Sequence, residues 1–155
     1  MTFRDATAAD VPVIVAMYAD DTLGAGREQA TDPLPAAYWE AFRAIDEDPR
    51  HRLVVAESGG EVVATLQLSF LPVLTLGGMA RAQIESVRVA AGHRGGGVGR
   101  SLVEWAIDTA RGRGCGLVQL TTDSSRPDAR RFYESLGFVA SHVGMKLRLD
   151  PRAAT

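Results

Sequence analysis

The chain has 155 residues, 46% of them hydrophobic and 23% charged, with a formal net charge of −2. That length suits one domain with one core, and the ordinary composition excludes general disorder. The slight acidity excludes nucleic-acid binding by charge, which needs a clustered basic excess. No apolar run approaches the roughly 20 residues that span a bilayer, and the start "MTFRDATAAD" lacks the apolar core of a secretion signal. The single cysteine, Cys115, precludes an internal disulfide, so the expected setting is a reducing cytoplasm without a membrane partner.

In chain order, a short strand at residues 2–4 precedes "ATAADVPVIVAMYADD", where Thr7 or Asp10 would cap a helix with Val11, Ile14, Val15 and Tyr18 on one face. After the loop-like "TLGAGREQATDPLP", the spacing of Tyr38, Trp39, Phe42 and Ile45 predicts a second helix that ends before Pro49. "RLVVAE" and "EVVATLQLSF" read as antiparallel neighbours joined at "SGG" by a tight hairpin. "LPVLTLGGMAR" reads as an exposed loop. "AQIESVRVA" reads as a strand alternating Ile84, Ser86 and Arg88 with Glu85, Val87 and Val89.

Four glycines follow within residues 95–99, and then Leu102, Val103, Ala106, Ile107 and Ala110 fall at helical spacing as far as "GRGCG". "LVQLTT" reads as a further strand, and Ser125, Pro127 and Asp128 as the start of a last helix. Ala129, Phe132, Tyr133 and Leu136 give that helix an apolar face, and Gly137 suits a left-handed end. "FVASHVGMKLRL" is expected to close the sheet, leaving residues 150–155 as a frayed tail. Residues 1–149 then form a single α/β (α+β) domain with no repeat and no linker.

A strand, a glycine cluster and a helix start together favour an anionic ligand. Small residues let main-chain N–H groups approach it, and the helix N-terminus adds unpaired donors and partial positive charge. A mobile turn is the bland alternative for such a cluster. The dinucleotide fingerprint fails, because a start at Gly95 puts Arg100 in the last glycine position and a start at Gly97 puts Leu102 there. The NTPase loop fails because no Gly-Lys pair follows.

What remains is R-x-x-G-x-G at Arg94, Gly97 and Gly99, together with "RRFYESLGF" further on. This pair of motifs resembles the GNAT N-acetyltransferases over most of the chain. The resemblance implies a mixed, mostly antiparallel sheet with splayed middle strands, here "IESVRV" and "LVQLTT", flanked by about four helices. It implies acetyl-CoA as cosubstrate. Main-chain groups of Val87, Arg88 and Val89 would pair with the pantetheine arm. The N–H groups of Gly95, Gly96, Gly97, Val98, Gly99, Arg100 and Ser101 would hold the pyrophosphate, with charge added by Arg94 and Arg100.

By the same resemblance, Tyr133 occupies the tyrosine of an F-Y-x-x-x-G-F pattern. There a phenol, of reference pKa about 10, would protonate a departing thiolate whose acid has one near 8.5. A core aromatic beside Phe132 is its bland alternative. Glu85, two residues before Val87, is the candidate general base, although a bulge would upset its alternation and a strand-end glutamate is often merely solvated. The family's N-x-x-A reads Arg126-Pro127-Asp128-Ala129 here, so that asparagine contact does not transfer. Asp123, Ser124 or Ser125 would replace it, or Ser125 would simply cap the helix.

His51, His93 and His142 lack metal-ligand spacing, so no metal is expected. Asp20, Asp21 and Glu28 would draw a cationic amine to the acceptor side, or be solvated. The expected reaction is direct transfer, in a ternary complex, to a primary amine of a small molecule. The run "TTDSSRPDARRFYESLGFVASHVGMK" also resembles that of aminoalkylphosphonate and related small-amine acetyltransferases. A protein acceptor, at an N-terminus or a lysine, is the nearest rival, and a non-catalytic acyl-CoA sensor or interaction module is another. Dimers are common in this family, and no residue in the chain demands one.

Overall fold

The computed structural model describes residues 1–150, which fold around a five-stranded sheet in the order β1-β2-β3-β4-β5. The strands are β1 (Thr2–Asp5), β2 (His51–Ser58), β3 (Glu61–Leu71), β4 (Arg81–Val89) and β5 (Leu117–Leu120). The helices are α1 (Val11–Ala19), α2 (Ala36–Asp46), α3 (Thr75–Gly78), α4 (Val98–Gly112) and α5 (Pro127–Glu134). β1 through β4 pair antiparallel and β4 with β5 parallel, the mixed and mostly antiparallel sheet expected. The β2–β3 turn is the two-residue Gly59-Gly60 loop, with φ of +62° and +84°, values that residues with a Cβ reach only at a cost.

Alternation along the strands divides the core between the two sheet faces. Ala64, Leu66, Leu68, Ala82 and Ile84 lie against Leu102, Val103, Ala106 and Ala110 of α4, all of them buried. On the other face Val55 meets Ile14 and Met17 of α1, with Tyr18, Phe42 and Leu53 packed around them. Each fully buried Leu or Val contributes about 1.5–3 kcal/mol, which is why α4 holds its place although its opposite side is charged. Of α2, Tyr38, Trp39, Phe42 and Ile45 are only half-buried, so this helix lies at the rim of the core.

The entry to α1 is tied down by charge. After a 3-10 turn at Ala8–Asp10, the Asp10 carboxylate accepts two bonds from Arg4 at 2.7 and 3.1 Å and one from the Thr7 N–H at 2.7 Å. The Arg4 bond is the main reason its pKa falls from 3.8 to about 2. A carboxyl lowered on folding stabilises the protein above its unfolded value and loses that contribution as pH falls through the folded one. Asp10→Asn should therefore lower the urea-unfolding free energy by about 1–2 kcal/mol at pH 7, and the gap from wild type should close between about pH 4 and pH 2. A pH-independent difference would assign the loss to something other than ionisation.

Three expectations need correction. The loop after β3 contains α3, a single kinked turn in which Leu76 and Gly77 have positive φ, and it leaves Leu74 and Leu76 exposed. β4 does not alternate strictly. Thr65 pairs with Arg88 and Gln67 with Glu85, so Leu66 faces one residue too many, and Ser86 takes φ of +55°. Finally, "FVASHVGMKLRL" does not close the sheet, since none of residues 138–149 joins a strand. Phe132, Tyr133, Leu136 and Phe138 already pack against that end of the core, and the later apolar side chains Val139, Val143, Met145, Leu147 and Leu149 stay exposed. Of the expected frayed tail, residues 151–155 lie outside the described residues.

Candidate active site

β4 and β5 run together only from the Arg81–Leu117 pair to the Ile84–Leu120 pair. Past Ile84, β4 continues to Val89 with no strand neighbour on that side among the described residues, and the expected splay opens there. The bulge falls at the same point. It brings Val87 and Val89 onto the face where Ile84 packs, and leaves Glu85 exposed opposite Gln67. Glu85 therefore does not share a face with Val87, as simple alternation would have it. It accepts a bond from Gln83 Nε2 at 3.2 Å.

The glycine cluster fills the open end of this gap. Gly95 and Gly97 have φ of +79° and +81°, and Gly97 caps α4. Among the described residues, the N–H groups of Gly95, Gly96, Gly97, Val98, Gly99 and Arg100 have no backbone partner. Ser101 donates to Gly97 O at 3.0 Å, so it begins the helix ladder and is not one of the free donors. A Cβ on Gly99 would lie 3.3 Å from Val89 Cγ2 and in ordinary contact, 3.8 Å, with Phe132 Cζ, so α4 packs tightly here and a larger residue would push the Val89 methyl by a few tenths of an ångström.

A cavity of about 430 Å³ lies over these donors. Val87, Arg88 and Val89 wall one side, and Arg94, Gly95, Gly97, Val98, Gly99 and Arg100 form the floor. Tyr133 closes it from α5, with Ala129 and Phe132 beside it. Gly96, Ser101 and Glu85 do not line it. Sequence reasoning had left His93, Ala129 and Phe132 out of the site. The i, i+3, i+4 spacing of Ala129, Phe132 and Tyr133 puts them on one helix face, and that spacing was the available signal. Five residues with N–H groups free of backbone partners, Gly95, Gly97, Val98, Gly99 and Arg100, line a partly apolar cavity at the positive end of a 15-residue helix, and they fit a phosphate-bearing cofactor with a long arm.

The two arginines expected to add charge are already engaged. Arg94 bonds Val89 O and the Asp20 carboxylate, each at 3.1 Å, while Arg100 reaches Ser135 Oγ at 2.7 Å and Glu104 at 3.3 Å. The Val87 carbonyl likewise accepts Arg88 Nη1 at 2.8 Å, although each carbonyl keeps a second lone pair for a ligand amide.

The acidic residues expected on the acceptor side are also committed. Asp20 pairs with Arg94, and Glu28 accepts the Tyr38 hydroxyl at 2.7 Å. Asp21 holds Arg88 at 3.1 Å and Arg126 through both carboxylate oxygens, the Oδ2 contact being 2.6 Å. The Arg126 bond is the main cause that lowers Asp21 from 3.8 to about 2. Arg126, in the position of the family's asparagine, thus ties the start of α5 to the loop after α1. Asp123 accepts the Ser125 N–H and hydroxyl at 2.9 and 2.6 Å, so these two residues shape the turn into α5.

Tyr133 stands edge-on to Phe132 and Phe138, with ring centroids 5.0 and 5.8 Å away. Burial pushes its phenol above the usual value, while the Arg88 and Arg126 charges pull it back. The hydroxyl stays protonated at neutral pH and can donate a proton. Cys115 is half-buried, and its thiol is raised by burial. His51 bonds Ser69 Oγ through Nδ1 at 2.8 Å and His142 lies beside Ser141, while His93 borders the cavity.

A family model described as the acetyltransferase (GNAT) family matches residues 16–138. The chain belongs to this family. A solved transcriptional regulator from Bacillus halodurans C-125 is 51% identical, aligned over 96% of this chain and 99% of its own, with a TM-score of 0.93. The aminoalkylphosphonate N-acetyltransferase of Salmonella typhimurium is 33% identical over 68% of each protein. The glucosamine 6-phosphate N-acetyltransferase of Trypanosoma brucei brucei is 37% identical over 58% of this chain and 59% of its own length, so that match spans less than two thirds of the relative. With this membership, the cavity between β4 and α5 is where the chemistry of this family member is to be sought.

Proposed function

We propose that this acetyltransferase binds acetyl-CoA in the gap between β4 and β5 and passes the acetyl group to a primary amine of a small molecule. Transfer is by direct attack in a ternary complex in the cytoplasm. The observation that carries this reading is the row of N–H groups without a backbone partner at Gly95, Gly97, Val98, Gly99 and Arg100, residues that share one cavity with Tyr133. Acetyl-CoA supplies the activated acyl group. The N–H groups of the glycine loop and the first turn of α4 hold the pyrophosphate, and the exposed edge of β4 at Val87 and Val89 pairs with the pantetheine amides. Tyr133 gives its proton to the departing sulfur, and Glu85 takes the amine's proton directly or through water.

The relatives support a small acceptor carrying a phosphoryl or phosphonyl group, since both curated proteins act on such amines by name. A panel of aminoalkylphosphonates, amino-sugar phosphates, simple amines and peptides, read by release of CoA thiol, tests this directly. Acetyl-CoA at 100 times its dissociation constant should add about 2.7 kcal/mol, a melting-point rise of roughly 5–10 °C. No rise at saturation would sink the reading. The description of the Bacillus halodurans relative favours one second reading, a regulator that binds acyl-CoA, and that predicts the thermal shift without turnover of any amine.

A further inference from the structure

Arg81, Gln83 and Glu85 occupy alternate positions on β4, while Ala82 and Ile84 between them turn into the core against α4. On the neighbouring strand Gln119 stands in register with Gln83. The four polar side chains are joined end to end. Arg81 Nη1 donates to Gln119 Oε1 at 3.2 Å, Gln119 Nε2 to Gln83 Oε1 at 2.9 Å, and Gln83 Nε2 to Glu85 Oε1 at 3.2 Å.

The direction of this row is fixed from both ends. A guanidinium can only donate and an ionised carboxylate can only accept, so each amide between them must turn its oxygen toward Arg81 and its nitrogen toward Glu85. Every dipole in the row then points the same way, and bonds so aligned polarise and strengthen one another. No carboxylate pairs with Arg81 directly among the described residues. Its other head-group bond goes to Thr75 Oγ1 of α3 at 3.4 Å, and its buried Nε has no partner. The acid to which hydrogen bonds connect it is Glu85, at the far end of the row.

Glu85 stands where such support is needed. It lies one residue beyond the Ile84–Leu120 pair, where the ladder to β5 ends, and its side chain is exposed. A glutamate there, free to turn about three bonds, would spend little time in any one orientation. Among the described residues its carboxylate accepts from Gln83 alone.

We propose that Gln83 and Gln119 are positioning residues that hold the Glu85 carboxylate in the orientation from which it takes the acceptor's proton, with Arg81 anchoring the row. This rests on the reading of Glu85 as the base. Neither glutamine lines the cofactor cavity, so their influence falls on the chemical step and not on acetyl-CoA binding.

A double-mutant cycle tests this, with aminomethylphosphonate and glucosamine 6-phosphate as acceptors. Glu85→Gln should lower kcat by about 100-fold, the low end of general-base catalysis. Gln83→Leu should lower kcat by about 10-fold and Gln119→Leu by about 3-fold, with the KM of the amine and the acetyl-CoA thermal shift unchanged. Neither should cost anything further in the Glu85→Gln background. Full activity of Gln83→Leu beside an impaired Glu85→Gln would overturn the inference and leave the base reading standing. A loss that persists in the Glu85→Gln background, or that appears in KM, would overturn it too, because the glutamine would then be touching substrate or supporting the fold. An unimpaired Glu85→Gln would remove the base itself and the inference with it. Proton–nitrogen spectra decide the matter even without turnover of either amine. The side-chain amide signal of Gln83 should move in Glu85→Ala, and a stationary signal would sink the row.

Discussion

Tyr133→Phe is expected to lower acetyl-transfer turnover by about 100-fold or more, the scale of losing a positioned proton donor, while leaving the acetyl-CoA thermal shift unchanged. The Phe132 and Phe138 edges that clamp the ring touch its carbon frame, so phenylalanine keeps the packing and loses only the hydroxyl. Because burial raises the phenol above its ordinary value of 10.0, the wild-type enzyme should show no alkaline loss of this acid at neutral pH. Turnover within a few-fold of wild type would remove Tyr133 from the acid role. A fall in turnover accompanied by an equal loss of cofactor binding would instead make the ring a packing element.

The largest effect on stability is expected at Asp21. Its carboxylate, 11% exposed, is shared by Arg88 and Arg126 and holds together the loop after α1, the end of β4 and the start of α5. Asp21→Asn leaves two half-buried guanidiniums without a counter-charge, and breaking a pair of this kind costs about 3 kcal/mol. Arg126→Ala should cost much less, about 1 kcal/mol, because Asp21 keeps Arg88. Since folding lowers the Asp21 carboxyl from 3.8 to about 2, the stabilisation is complete above about pH 4 and fades toward pH 2. Denaturant unfolding at pH 7 and pH 3 for the two variants checks both the ranking and its pH dependence. Equal losses in the two would mean that Arg88 contributes nothing to the network.

What sequence reasoning reached depended on how local each signal was. The spacing of Leu102, Val103, Ala106 and Ala110 and the Gly59-Gly60 turn are fixed by residues within a few positions of one another, and both were read correctly. The glycine loop became specific only when paired with "RRFYESLGF", and family membership bears that pairing out. The Asp21 network joins positions 21, 88 and 126, and no spacing rule connects loops so far apart. The slip in β4 was equally hidden, because Ser86 is a residue type that alternation alone reads as ordinary. The last apolar run has the period of a strand, but period alone does not supply the neighbouring edge that a strand needs.

The extra residue at Ser86 sits between the part of β4 that is laddered to β5 and the part that borders the cavity. The two segments therefore keep separate phases, with Ala82 and Ile84 inward before the slip and Val87 and Val89 inward after it. Deleting the extra residue would leave Ala82, Ile84, Val87 and Val89 at alternate inward positions, whereas a strand that kept Ser86 without the slip would turn Arg88 toward the interior and Val87 and Val89 away from it. The slip thus uncouples the two ends of the strand. Side-chain changes beyond it need not disturb the ladder before it.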